Sequence, residues 1–152
     1  MYLIAVILLL LILPAGSVAI EDLAQGGHAD LLHLVGKWFV FWAAGVRLFI
    51  AGWRQIGWPR LTAEDIFALK DPAAYPVVRE VGFGNLAMGW LGLLTLPFAS
   101  FLIPSASVGG LYYGLAGLGH AFRQRNAEGQ IAMISDFLIF AVFAVFVALR
   151  GF

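Results

Sequence analysis

The sequence LLHLVGKWFVFWAAGVRLFIAGW, from Leu31 to Trp53, decides the fold class of this chain. It is long enough to cross a bilayer as a helix, because a spanning helix needs about 20 predominantly apolar residues. His33, Lys37 and Arg47 interrupt it. An ionisable side chain within a membrane is costly, so each is a candidate functional residue whose partner must be sought. The stretch therefore predicts a transmembrane helix that carries an arginine.

The composition of the whole chain is also that of a membrane protein. Of its 152 residues, 62% are hydrophobic and 12% are charged, against roughly 45–50% and about 25% in soluble domains. The formal net charge is zero, which gives no electrostatic reason to expect a nucleic-acid partner. The chain has no cysteine, so it forms neither disulfides nor thiolate metal sites by itself.

Five apolar stretches predict an all-α integral membrane bundle that forms a single domain over residues 1–152. The predicted spans are about 1–20, 31–53, 77–101, 106–122 and 131–149. A signal peptide is the competing interpretation of the first, but no Lys or Arg precedes its apolar core. A short amphipathic helix is predicted over 63–70, with Thr62 as its cap. We expect this helix to lie on the membrane surface, with docking of a soluble partner as the alternative.

Basic residues in the loops predict the orientation. The second-to-third and fourth-to-fifth loops carry Arg54, Arg60, Lys70, Arg79, Arg123 and Arg125. The other two loops contain neither Lys nor Arg. Both basic loops lie on one side of a five-span chain, and this side is expected to be the cytoplasmic face of the inner membrane. The N-terminus then lies in the cytoplasm and the C-terminus outside.

Polar side chains of four predicted spans fall in the cytoplasmic half of the bilayer. They are Arg47, Arg79, Glu80, Asn85, His120 and Asp136. We expect Arg47 to pair with Asp136, and Arg79 or His120 to pair with Glu80. This cluster is a ligand or proton site, a set of structural contacts between helices, or a group of interfacial side chains.

Glycines at helical spacing mark two of the predicted spans. They are Gly82, Gly89 and Gly92 in the third span and Gly110, Gly114 and Gly117 in the fourth. Small residues at such spacing allow two helices to approach closely. We expect these two glycine faces to pack against each other.

No cofactor is predicted, although two alternatives stay open. His28, Asp30 and His33 have ligand chemistry for a metal, but nearby Lys37 would repel a cation and favours interfacial anchoring. His33 and His120 lie at opposite ends of spans about 30 Å long, which excludes a haem bound by both. A quinone, or a tetrapyrrole held by His120 alone, remains as an alternative. No GxSxG, HExxH or Walker motif indicates an enzyme.

Four segments resemble a family of small bacterial membrane proteins of unknown function. They are GKWFVFWAAGVRLFIAGWRQ (Gly36 to Gln55), TAEDIFALKDP (Thr62 to Pro72), VREVGFGNLAMG (Val78 to Gly89) and GGLYYGLAGLGH (Gly109 to His120). The resemblance implies no activity. The predicted bundle is also similar in architecture to DoxX-like proteins, some of which are linked to quinone-dependent oxidation.

Three functions are consistent with this sequence. The leading one is a packing or accessory component that associates with itself or with a larger membrane complex, and the other two are alternatives to it. The second is binding of a quinone or another small molecule by the polar cluster. The third is a small transporter or proton pathway. A ligand site should open sideways to the inner leaflet, whereas a transporter needs a polar path that continues to the outer surface.

Overall fold

The computed structural model describes residues 2–122 and 127–151, and this part of the chain is helical without strands. Six helices follow one another. Helix α1 consists of Tyr2–Ile7, Leu8–Ile12 and Leu13–Ala24, and α2 of Leu31–Phe39, Val40–Arg47 and Leu48–Gly57. The remaining helices are α3 (Pro59–Asp65), α4 (Tyr75–Leu93), α5 (Leu102–Ala121) and α6 (Ala127–Arg150). The middle segments of α1 and α2 are π-helical, and 3₁₀ turns at Pro72–Ala74 and Ala99–Phe101 precede α4 and α5.

Four helical stretches are long and apolar enough to cross a membrane. They are Leu3–Ala24, Leu31–Gly57, Ala99–Ala121 and Gly129–Arg150. The predicted all-α bundle is therefore confirmed. Helix α4 occupies the place of the predicted third span but ends at Leu93 instead of residue 101. Its polar residues, Arg79, Glu80 and Asn85, lower its hydropathy, and it is not among the four apolar stretches.

Hydroxyl groups satisfy the C-terminal carbonyls of α4. The Thr95 hydroxyl donates to the Gly92 carbonyl at 2.7 Å, and the Ser105 hydroxyl of α5 donates to the Leu91 carbonyl at 3.1 Å. Both hydroxyl-bearing residues are buried. The last carbonyls of a helix have no partner within the helix itself. These two side chains therefore supply partners for two of the carbonyls at the end of α4.

The glycines of α4 pack against α2, and not against α5 as the sequence predicted. Gly92 meets the backbone of Gly45, and Gly89 meets the backbone of Phe49. A Cβ atom at Gly82 would lie 2.9 Å from the Gln55 Cβ. The partner face on α2 contains small residues of its own, so the two backbones approach directly. Glycine spacing marked the face of α4 correctly, but it carried no information on the partner helix.

The glycines of α5 receive phenylalanine rings from α6. Ideal Cβ atoms at Gly114 and Gly117 would lie 2.9 Å from Phe140 and 3.1 Å from Phe137. A Cβ at Gly110 would lie 3.3 Å from the Cβ of Phe143. The rings fill the space that the missing side chains leave. The α5–α6 interface is thus a contact of ring on backbone, unlike the backbone contact of α2 with α4.

Helix α3 begins and ends earlier than the helix that was predicted over 63–70. Pro59 occupies its first turn, where the fixed φ of proline and its missing N–H are well tolerated. Thr62, expected to cap the helix, is instead inside it and 4% exposed. The helix ends at Asp65, and Ala68 has a left-handed φ of 56°. A short helix is therefore present in this connection, but it overlaps the predicted one only at residues 63–65.

Candidate ligand cavity

A cavity of about 200 Å³ lies where all six helices meet. Its apolar wall includes Val6 and Leu9 of α1, Leu48 of α2 and Tyr113 of α5. Its polar lining is formed by Arg47, Arg54, Gln55, Thr62, Asn85, Tyr112, His120 and Asp136. Four of the six residues predicted to form a site, Arg47, Asn85, His120 and Asp136, thus line one cavity.

Asp136 lies between two cationic or potentially cationic side chains. Both terminal nitrogens of Arg47 are 3.4 Å from Asp136 Oδ1. The other carboxylate oxygen, Oδ2, is 3.9 Å from Nε2 of His120. The guanidinium carbon of Arg47 also lies 5.2 Å from the centre of the Tyr113 ring. The structure therefore brings together the predicted Arg47–Asp136 pair and adds His120 to it.

The π-helical segment of α2 explains part of this placement. Arg47 is its last residue, and the segment begins at Val40. The wider turn of a π-helix shifts the residues after it around the helix axis, and such turns occur frequently at functional sites. Regular helical spacing from Lys37 consequently does not give the direction of Arg47, which here faces α5 and α6.

A second polar contact in the cavity joins α4 to α2. Nδ2 of Asn85 donates to Oε1 of Gln55 at 2.8 Å. Asn85 is 2% exposed, and its Oδ1 has no hydrogen-bond partner among the described residues. An unsatisfied buried acceptor costs about 1–3 kcal/mol, and each such group in a native protein calls for an explanation. A group with a hydrogen-bond donor in this cavity would satisfy this oxygen.

The exposed residues of the cavity lining lie on α1 and α2, and we infer that the cavity opens between these two helices. Only three residues of its lining are exposed: Ala5 on α1, and Ile50 and Arg54 on α2. Two of the three are apolar, and Arg54 stands beside them. A molecule that enters here passes between two of the apolar helices before it reaches Asn85 and Asp136. The polar groups therefore lie behind a mainly apolar entrance.

Arg79 and Glu80 lie outside the cavity on an exposed surface of α4. Five residues separate Glu80 from Asn85, which corresponds to about 140° around a helix at 100° per residue. Because Asn85 faces inward, Glu80 faces away from the cavity. The sequence analysis offered a pairing of His120 with Glu80 as one alternative. The structure instead places His120 beside Asp136.

The opposite end of the bundle is held by ion pairs. Lys37 binds Glu21 of α1 at 2.7 Å, and the indole nitrogen of Trp38 donates to the same carboxylate at 2.7 Å. Asp30 caps α2 through the His33 N–H at 3.2 Å and forms an ion pair with Arg150. These two contacts hold the pKa of the Asp30 carboxyl below its usual value.

The three residues considered for a metal, His28, Asp30 and His33, are exposed at this same end. Within the described ranges, 2–122 and 127–151, no group of three His, Asp or Glu side chains is arranged to hold a metal ion. Asp30 is engaged by the α2 backbone and Arg150 instead.

Several lining residues were missed by the sequence analysis. Arg54 follows Arg47 by seven residues, which is about two helical turns and therefore nearly the same face, and Gln55 is the next residue. This spacing was available in the sequence, but both residues lay in a segment interpreted as a loop. Thr62 was interpreted as a helix cap. Tyr113 gave no signal, since an aromatic residue in an apolar helix is ordinary.

Comparison with known proteins adds no further information on this cavity. No protein-family model matches the chain, and neither a curated protein nor a solved structure shows significant similarity to it. The chemistry of the cavity therefore has to be inferred from its own residues.

Proposed function

We propose that the chain is a membrane protein that binds the polar head group of a membrane-soluble small molecule, with quinones as the leading class. The observation that carries this proposal is the unpaired Oδ1 of Asn85 in a cavity that opens between α1 and α2. An acceptor without a partner is suited to a ligand that brings a donor, as the hydroxyl groups of a reduced quinone do. An entrance lined by Ala5 and Ile50 is suited to arrival from lipid.

The size of the cavity supports a head group rather than a whole ligand. Pockets that enclose drug-sized molecules have volumes of about 300–1,000 Å³, and this cavity has about 200 Å³. A ring or a similarly compact polar group is then held inside, while an apolar tail extends through the opening. The aromatic and aliphatic walls, including Tyr113, Phe67 and Leu48, provide apolar contacts for such a ring.

We also propose that the chain crosses the inner membrane five times, with the cavity in the cytoplasmic half. Four helical stretches supply four crossings. In this arrangement α4 forms most of the third of the five spans. The short segment between Leu93 and Ala99 forms the rest of it. The hydroxyls of Thr95 and Ser105 supply two of the hydrogen bonds that the backbone carbonyls at the end of α4 need at membrane depth.

Single-cysteine labelling tests this topology, because the chain contains no cysteine of its own. Lys70→Cys lies before α4 and Ser100→Cys after it, and both positions are exposed. If α4 crosses, a membrane-impermeant maleimide added to intact cells labels Ser100→Cys and not Lys70→Cys. Gly27→Cys, in the loop between α1 and α2, is the positive control for the outside. Labelling of Lys70→Cys and Ser100→Cys from the same side would refute five crossings.

The other two functions have less support in this structure. The packing or accessory role rested on two glycine faces, and both are filled within the chain by Phe49, Phe137 and Phe140. Binding to a partner in a larger complex stays a prediction, because the contacts described above do not favour it. A transporter requires a continuous polar path, but fully buried Val40 and Ala43 lie between Lys37 and the cavity.

The binding proposal is tested with purified protein in mild, anaerobic detergent solution and a short-tailed benzohydroquinone, whose hydroxyl groups can donate to Asn85 Oδ1, as the probe. A ligand that binds only the folded state raises the unfolding midpoint as its concentration rises. The test variant is the double substitution Asn85→Leu with Gln55→Leu, which removes both hydrogen-bonding amides together. We expect the wild type to be stabilised by the probe and the double variant to lose at least about fivefold in affinity, the loss of one hydrogen bond.

Thr95→Val is the matched control, because it also removes a buried hydrogen bond but lies outside the cavity. We expect its affinity for the probe to equal that of the wild type. Native mass spectrometry of the same samples reports any co-purified small molecule. Equal stabilisation of the wild type and the double variant, or no stabilisation of either, would reject the proposed site.

A further inference from the structure

We infer that the Asn85–Gln55 amide pair adapts the cavity to a head group whose oxygen is a carbonyl in one form and a hydroxyl in the other. This inference rests on the proposed binding function and deepens it. It assigns a specificity role to two residues, and it narrows the ligand to molecules that interconvert between a ketone-like and an alcohol-like or phenol-like form.

The argument begins with the one hydrogen bond between the two side chains. In the structure, Nδ2 of Asn85 donates to Oε1 of Gln55 at 2.8 Å. This leaves Oδ1 of Asn85, an acceptor, for a group in the cavity. A hydroxyl can donate a hydrogen bond to this oxygen, whereas a carbonyl cannot. The observed arrangement therefore suits the hydroxyl form of a ligand.

The same pair has a second arrangement with the same number of hydrogen bonds. The oxygen and nitrogen of a side-chain amide are nearly equal in size, and the torsion that exchanges them has a broad, roughly two-fold preference. If both side-chain amides rotate by about 180° about their terminal torsions, Nε2 of Gln55 donates to Oδ1 of Asn85. Nδ2 of Asn85 is then the atom that remains for the ligand, and it donates to a carbonyl.

Turning both amides requires no movement of the backbone. The hydrogen bond between Gln55 on α2 and Asn85 on α4 is kept in both arrangements, so neither helix has to move. This matters because α2 and α4 are in direct backbone contact at Gly45 and Gly92 and have little room to slide. The cavity can therefore exchange an acceptor for a donor within an otherwise rigid interface.

A single amide without this partner would behave differently. A carboxylate in the place of Gln55 only accepts, so it would keep Nδ2 of Asn85 turned toward itself. An ammonium group only donates, so it would hold Oδ1 of Asn85. Gln55 is the residue type that accepts either orientation, and this property makes it the test position.

The test compares the oxidised and reduced forms of one short-tailed benzoquinone, the quinone and the hydroquinone, in anaerobic detergent solution. The absence of cysteine from the chain removes thiol addition to the quinone as a side reaction. Affinities are obtained from the unfolding midpoint at graded probe concentrations. The quantity of interest is the affinity ratio of the two forms in each variant divided by the ratio in the wild type, which cancels their different partition into micelles.

We expect Gln55→Glu to shift this ratio about tenfold toward the hydroquinone and Gln55→Lys about tenfold toward the quinone, the change expected for one hydrogen bond gained or left unmade. Gln55→Met, which keeps the length of the side chain but removes its hydrogen bonding, leaves the ratio close to that of the wild type. If Gln55→Glu does not fold, Asn85→Asp replaces it, because a carboxylate at that position also offers the ligand only an acceptor.

Shifts in opposite directions for the Glu and Lys variants support the inference. Unchanged ratios, or shifts in the same direction, overturn it while leaving the proposed binding function intact. Wild-type affinities for the two forms that differ at least a hundredfold, after each is corrected for its measured partition into micelles, also overturn it, since the pair would then have a fixed orientation. If the wild type binds neither form, the proposed function itself fails.

Discussion

Removing the two members of the Arg47–Asp136 pair one at a time should have unequal effects on stability. Asp136→Leu leaves the guanidinium of Arg47 in the interior without its carboxylate, and arginine cannot lose its proton in a protein. Arg47→Met leaves Asp136, which can be neutralised by a proton and still has His120 at 3.9 Å. We therefore expect the loss of the aspartate to be the more damaging change.

The geometry sets the size of these effects. Breaking a buried ion pair typically costs about 3–5 kcal/mol. The lower limit applies to Asp136→Leu, because the contact of 3.4 Å is longer than the 2.7–2.9 Å of strong charged hydrogen bonds and 16% of the Arg47 side chain is exposed. We expect a cost of about 3 kcal/mol for Asp136→Leu and of about 1–2 kcal/mol for Arg47→Met. The double variant should lie within about 1 kcal/mol of the wild type.

Equilibrium unfolding in mixed micelles measures all four proteins of this double-mutant cycle under one condition. The predicted result is a large favourable coupling energy, visible as a double variant more stable than Asp136→Leu alone. Two results would refute the reasoning. One is a larger cost for Arg47→Met than for Asp136→Leu, and the other is a double variant whose destabilisation equals the sum of the single effects.

Three further predictions follow from contacts elsewhere in the bundle. Gly89→Leu, which forces a side chain against the α2 backbone, should cost at least about 1–3 kcal/mol in the same unfolding assay, whereas Gly84→Leu, with no atom near its Cβ, should be nearly neutral. Thr95→Val should cost about 1 kcal/mol through its lost hydrogen bond, and a stability equal to the wild type would contradict this role. The Asp30 carboxyl, whose pKa is lowered from 3.8, should stabilise the fold above pH 3.8 and lose this effect as the pH falls through its lowered value. Acid unfolding of Asp30→Asn should lack that component, and an unchanged acid profile would show that the contact of Asp30 with Arg150 does not contribute.

The helical membrane-type bundle and the pairing of Arg47 with Asp136 could be predicted from the sequence. Long apolar stretches determine helices of this kind almost without regard to tertiary context. The cost of isolated charges makes a pair of opposite charges at equal predicted depth the simplest arrangement. Asn85 was also expected to be part of the cluster, because it lies in the cytoplasmic half of its predicted span. These predictions depended on the free-energy cost of placing charged and polar side chains in an apolar environment. The amino-acid composition and the order of residues show directly where this cost arises.

The partners of the glycine faces and the end of α4 could not be predicted in the same way. A glycine stripe shows that something approaches closely, but a backbone such as that of Phe49 and a ring such as that of Phe140 leave the same pattern. The end of α4 depends on hydroxyls at Thr95 and Ser105, and Ser105 belongs to the next helix. The π-helical segment that ends at Arg47 is a distortion set by packing. The periodicity of the sequence does not predict it.

The contacts of α1 are divided unequally along its length, and this has a consequence for motion. Its polar contacts with α2 lie in its C-terminal half, at Ser17 and Glu21, while its described N-terminal residues meet the cavity through Ala5, Val6 and Leu9. In a bilayer, lipid tails are about as apolar as these side chains, so little transfer free energy holds that half in place. We therefore expect the C-terminal half of α1 to be held more firmly than the half that lines the cavity. Amide exchange should accordingly be faster near Leu9 than near Ser17.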